Sequence, residues 1–133
     1  MKKLVSAVLV FLMVLTVSTA AFAEYGIVVT SNPKSETHLA GETACFSADA
    51  NFYSMVDWSF ITPSGMEFSA QEFCSMFPEV YVDGENTTLL TLRNLSPELN
   101  EWAVVCNFHN SIDNAHTSWA FLYVSPTYGG PVY

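Results

Sequence analysis

Three histidines, three cysteines and 13 acids are the side chains in this sequence with chemistry to offer. His109 and His116 flank a polar run, Asn110 to Asn114, that reads as a hairpin tip. A two-residue turn centred on Ile112-Asp113 would set the two imidazoles opposite each other with Asp113 beside them, a weak metal arrangement. A longer loop moves His109 opposite Thr117 and separates the ligands, and this is the preferred reading, with no metal assigned. Cys45, Cys74 and Cys106 are spaced too widely for paired zinc ligands. No histidine or asparagine context makes any of them a nucleophile. Glu98 with Glu101 and Asp83 with Glu85 are acid pairs in connections, where solvated carboxylates are the ordinary state. The Asp83-Gly84-Glu85-Asn86 run lacks the oxygen-ligand spacing of a calcium loop. Neither a Ser-His-Asp set nor a phosphate-cradling glycine loop is present. The expectation is a protein with no catalytic residue and no cofactor.

The composition narrows the partners. Formal charge is −9, with half the residues hydrophobic and 13% charged. A surface this acidic has no footprint for a nucleic-acid backbone and no basic face for anionic lipid. Met1 to Ala23 reads as an export signal: Lys2-Lys3, an uncharged run from Leu4 to Val17, then Ala21-Phe22-Ala23 as a small-x-small cleavage site. The run is short for a bilayer span, so no membrane insertion is expected once the signal is cut. Cleavage would leave Lys34 and Arg93 as the only lysine or arginine against all 13 acids. The expected location is secreted or extracytoplasmic, a setting that permits one disulfide and leaves one buried thiol. Residues 24–125 are expected to form one domain. Residues 126–133, with Pro126, Gly129, Gly130 and Pro131, suit a flexible tail.

Strand-like runs recur between turn signals and point to an all-β sandwich. They are Tyr25 to Thr30, Glu42 to Ala48, Met55 to Ile61, Val80 to Val82, Thr87 to Leu92, Trp102 to Phe108 and about His116 to Val124. Met55 to Ile61 alternates cleanly, with Val56, Trp58 and Phe60 on one face and Asp57 and Ser59 on the other. Thr62-Pro63-Ser64-Gly65 and Asp83-Gly84 read as turns. Ser69 with Glu72 is a capping-box signature, so a short helical turn is expected near 69–77, ended before Pro78. Trp58, Trp102, Phe60, Phe108, Leu90, Leu92 and Val56 are the expected core.

Cys45, then Trp58, then Leu90-x-Leu92-x-x-Leu95 before Cys106, is the spacing pattern of an immunoglobulin sandwich. With Phe60-x-x-Pro63-Ser64-Gly65, Phe77-Pro78 and Leu99-Asn100-x-Trp102-x-Val104-x-Cys106-x-Phe108-x-Asn110, the chain resembles the small immunoglobulin-like domains of secreted bacterial proteins over residues 25–124. The resemblance implies a two-sheet Greek-key sandwich and a Cys45–Cys106 bridge. Val104 stands where that family often has tyrosine, and Cys45 is out of phase with Ala44, Phe46 and Ala48. A bulge would restore Cys45; Cys45–Cys74 and Cys74–Cys106 stay open as alternatives.

The resemblance also implies that Ala120, Leu122 and Val124 point inward. Trp119, Phe121 and Tyr123 then face outward beside Val105 and Asn107, exposing on the order of 300 to 500 Å² of apolar surface. The expected function is non-catalytic binding or adhesion, with this sheet face and the 110–114 loop, including Asn110 and Asp113, as the contact region. The expected partner is a protein or glycan outside the cytoplasm. Carbohydrate binding through the same rings, and a homodimer acting as a self-associating envelope component, are the alternatives.

Overall fold

The computed structural model describes residues 25–126. The expected signal peptide, and the expected tail beyond Pro126, lie outside the described residues. What is described forms two β layers around one apolar interior.

The first layer is built from short strands. β3 (Ala44–Ser47) pairs with β8 (Leu89–Arg93), which pairs with β7 (Tyr81–Asp83). β1 (Val28–Ser31) pairs with β4 (Asp49–Asn51). Buried and exposed residues alternate without a break from Ala44 to Asn51, so β3 and β4 present one continuous inner face. The second layer runs β2 (Glu36–Leu39), β11 (Ala120–Ser125), β9 (Trp102–His109), β5 (Met55–Ile61), β6 (Glu67–Ser69), with β10 (Asn114–His116) also on β9. β2 lies parallel to β11; the other pairs are antiparallel.

The expected all-β sandwich is present, and its centre is Trp58. The indole is buried on the inner face of β5, with its Cα opposite that of Cys106. Nε1 donates a 2.7 Å hydrogen bond to the carbonyl of Thr87, at the approach to β8 in the other layer. Phe46, Leu90 and Leu92 come from the first layer, and Phe60, Val104, Phe108 and Leu122 from the second; all are buried. Burial of each large side chain stabilises by ~2–3 kcal/mol.

The helical turn forms α1 (Ala70–Met76) with both halves of the capping box made: Ser69 Oγ accepts from Glu72 N–H, and Glu72 Oε1 accepts from Ser69 N–H. Such a short helix is marginal alone. It is anchored by Phe73, whose ring stacks on Phe60 at 4.1 Å and meets Trp102 edge-on at 5.7 Å.

The favoured Cys45–Cys106 bridge is absent, and all three cysteines are free. The ladder from Ala44↔Leu92 to Ser47↔Leu89 is regular, with no bulge to turn Cys45 inward. Cys45 therefore faces solvent opposite Thr91, while Cys106 is buried beside the Trp58 strand. Burial pushes the Cys106 thiol up to about 12, with the nearby Asp57 charge adding to it. Cys74 is exposed on α1 and bridges neither of the others.

Three measurements follow from this packing. A thiol reagent should modify Cys45 and Cys74 in the native protein and Cys106 only after unfolding; melting temperature should be the same with and without reductant. A lower melting temperature on reduction would restore the disulfide. Gly84 sits at φ +76°, and a Cβ there would run into the Leu89 carbonyl. Gly84→Ala should therefore destabilise by ~2 kcal/mol in urea titration.

Candidate functional site on the outer face of the larger sheet

Residues on β9 and β11 alternate between the interior and the opposite, outer face of the second layer. Ala120, Leu122 and Val124 are buried, and Trp119, Phe121 and Tyr123 are 49%, 38% and 42% exposed. Their rings form a row, with centroids 6.4 Å apart at both steps; Phe121 and Tyr123 are near parallel and Trp119 tilts away. Beside them on the same side of the sheet lies a small apolar floor of Ile61, Ala103 and Val105, all buried although they sit on the outer side. Val105 thus belongs to the floor, and the rings supply the exposed surface.

The register that turns the rings outward differs from both expected hairpins. His109 pairs with Asn114, and His116 with Asn107. The intervening turn, residues 110–113, is closed by Asn110 N–H to the Asp113 carbonyl. Asn110 Oδ1 accepts from the N–H groups of Ile112 and Asp113, an Asx-type closure that centres the turn on residues 111–112 instead of on Ile112-Asp113. Beyond His116 the ladder slips by one residue, since Ala120 pairs with Val104. The slip is held at Thr117, which is buried; its N–H donates to the Cys106 carbonyl and its Oγ1 accepts from Cys106 N–H. Such a bulge changes the face on which following side chains lie. His109 and His116 end up apart, and among the described residues no group of His, Cys, Asp and Glu is arranged to hold a metal.

The other half of the face is polar and self-contained. Asn107 Nδ2 donates to Asp57 Oδ1 at 2.9 Å and to Ser59 Oγ at 2.8 Å. His109 Nε2 lies 2.7 Å from Asp57 Oδ2, and Nδ1 lies 2.7 Å from Asn114 Oδ1. The bond to Asn114 holds the imidazole pKa above its ordinary value; partial burial opposes this, and Asp57 adds to it. In the protonated ring both N–H groups have an acceptor.

The 110–114 loop is likewise tied inward. Asn110 Nδ2 donates to the carbonyls of Tyr25 and Phe52, and Asp113 Oδ2 accepts from Ile27 N–H. Asn107, Asn110 and Asp113 are therefore each tied by side-chain hydrogen bonds to other parts of the fold. Nothing in the one-dimensional pattern distinguishes a loop asparagine that binds outward from one that staples three segments.

Two hollows border this face. One, of about 640 Å³, is open and polar, lined by Asp57, Ser59, Gln71, Cys74, Glu85 and Asn86 among others. Its thiol is a poor nucleophile, because burial and then the Glu85 charge raise the Cys74 pKa. Both oxygens of Asp57 are engaged by Asn107 and His109. The second, of about 240 Å³, is lined by Trp119, Phe121, Tyr123, Thr62, Pro63 and Glu101. Thr62, Pro63 and Glu101 were not among the expected contact residues. The available signal was that the turn after β5 and the residue before β9 flank paired strands.

The His109 network carries a pH dependence with a definite sign. The folded state holds the proton more tightly than the unfolded chain. Its stabilising contribution is complete below the ordinary imidazole value of 6.5 and is lost as pH rises through the higher folded value. Asn114→Ala and Asp57→Asn should each lower the His109 pKa in an NMR titration. A wild-type His109 titrating at or below 6.5 would contradict the network.

No family model and no curated protein matches this sequence. Solved structures do match. One is the tandem immunoglobulin repeats of Dlar, at TM-score 0.55 and 17% identity, covering 75% of this chain and 48% of that one. Another is the titin z1z2 pair in complex with telethonin, at 0.54 and 22%, covering 75% and 48%. A third is the D1 domain of Duf (Kirre), at 0.55 and 14%, covering 76% and 98%. The chain spans about half the length of the Dlar and titin pairs and nearly all of the single Kirre domain. Its fold is that of one immunoglobulin-like domain.

Proposed function

We propose that this chain is a non-catalytic, exported immunoglobulin-like module that binds a protein partner through the Trp119, Phe121 and Tyr123 face. The observation that carries the reading is the row of half-exposed rings beside the buried floor of Ile61, Ala103 and Val105. Contiguous apolar surface of this kind is uncommon on a monomer and is characteristic of interaction sites. Phe121 and Tyr123 stand on β11, hydrogen-bonded between β2 and β9, so their positions are set before a partner arrives and little conformational freedom is lost on binding.

Supporting context comes from the fold. The titin pair with this fold was solved in complex with telethonin, which illustrates a protein ligand for such a module. Export rests on residues 1–23, and the acidic surface remaining after their removal favours partners of opposite charge.

The test pairs stability with association. Trp119→Ser combined with Phe121→Ser should leave the protein folded at a cost of about 1–2 kcal/mol, since each ring is roughly half buried. The same change should abolish cross-linking to partner proteins through a photo-reactive group placed at Tyr123. Unfolding of the double variant would make the rings core. Retained cross-linking would move the interface elsewhere. Binding on a glycan array that the double variant loses would replace the protein partner by a carbohydrate, and concentration-dependent sedimentation would replace it by a second copy.

A further inference from the structure

The 240 Å³ hollow beside the rings has a chemistry of its own. We propose that it receives a cationic side chain, arginine or lysine, projecting from a basic segment of the protein partner. This deepens the reading given under Proposed function and rests on it.

Three observations converge. First, the hollow is walled by the rings of Trp119, Phe121 and Tyr123. Aromatic faces carry negative electrostatic potential and attract ammonium and guanidinium groups lying within about 6 Å. Second, the Glu101 carboxylate lines the same hollow and has no hydrogen-bond or ion-pair partner among the described residues. The backbone of Glu101 is also held at φ +72°, in the left-handed region, while its N–H donates to the Leu122 carbonyl. Glycine would occupy that conformation without strain, so backbone geometry does not account for an acid there. An outlier of this kind next to a hollow points toward function.

Third, the chain cannot fill the site from its own described cations. Lys34 and Arg93 are the only lysine and arginine among the described residues, and neither lines the hollow. Arg93 Nε instead lies 3.5 Å from Asp83. The size agrees: small-molecule sites usually enclose about 300–1,000 Å³. A shallower, open hollow suits one side chain better than a whole ligand. Rings supply the walls for the aliphatic stem, and Glu101 supplies the counter-charge.

The experiment uses isotope-labelled protein and three capped tripeptides, Gly-Arg-Gly, Gly-Lys-Gly and Gly-citrulline-Gly. Citrulline keeps the shape of arginine and removes its charge. Two-dimensional NMR should show the arginine and lysine peptides shifting the Trp119 indole and the amides of residues 119–123, with citrulline inert at the same concentrations. Glu101→Gln should weaken the arginine peptide by about threefold. Phe121→Ser should weaken it by about tenfold. Raising the salt concentration should weaken it further.

Equal binding of the arginine and citrulline peptides, an unchanged affinity in Glu101→Gln, or no shift at tens of millimolar peptide would each overturn the proposal. Glu101 is exposed, so its glutamine variant reports on the site even if Phe121→Ser fails to fold. The two readings separate cleanly. If the Trp119/Phe121 double variant loses partner cross-linking while the arginine and citrulline peptides bind the wild type equally, the face stands and the cation site falls.

Discussion

The burial of one indole between two layers organises this molecule. Trp58 is too large to be enclosed by either sheet alone, and its N–H must find an acceptor once water is gone. The Thr87 carbonyl provides it, so the hydrogen bond ties β5 to the approach of β8 across the sandwich. Around that contact Phe46, Phe60, Phe108 and the leucines of β8 fill the remaining space. The fold needs no covalent bond between its layers: a buried thiol occupies the place on β9 opposite Trp58, and the chain compensates with aromatic packing. α1 contributes to the same end, because Phe73 closes the sandwich edge against Phe60 and Trp102.

The outer face is a consequence of the inner one. β9 is buried almost throughout, so its outward residues Ala103 and Val105 must be covered from outside. Phe121 and Tyr123 on the neighbouring strand, with Trp119 just before it, lie alongside them on the same face. They do so only because the ladder slips at Thr117, where a buried hydroxyl replaces a backbone acceptor for Cys106 N–H. Without the slip the following strand would present its alanine, leucine and valine to solvent and its rings to Trp58. A one-residue shift flips a whole strand, so one buried threonine decides which set of side chains becomes surface.

Much of this was legible from residue spacing. Met55–Ile61 alternates so strongly that its boundaries match the strand, and Ser69 with Glu72 announced α1 by a mechanism, not a propensity. β2 was missed because three of Glu36-Thr37-His38-Leu39 are polar: its inner residues are only partly buried, and its parallel pairing with β11 leaves no local trace. β6 was missed because three residues cannot display a period. The cysteine pairing suggested by family resemblance failed where the local phase of β3 already disagreed with it; strand periodicity was the stronger physical signal. The hairpin register depended on a side-chain closure by Asn110, and the site beside Glu101 on two loops brought together by pairing of distant strands. Neither is visible until the strands are aligned in space.

The distribution of polar partners separates scaffold from surface. The loop end of the domain also exposes apolar groups, Tyr25, Phe52, Met55 and Ile112. They sit on three separate segments, tied together by Asn110 and Asp113 through backbone contacts. A partner engaging that end would have to hold loops whose relative positions depend on a few exposed hydrogen bonds. The ring row instead stands beside a ladder that runs from β2 through β11 and β9 to β5. Binding energy is lost to ordering wherever the contact groups are loosely held. The strand face therefore retains more of it than the loop end, and it has in Glu101 a charge whose partner the described fold does not supply.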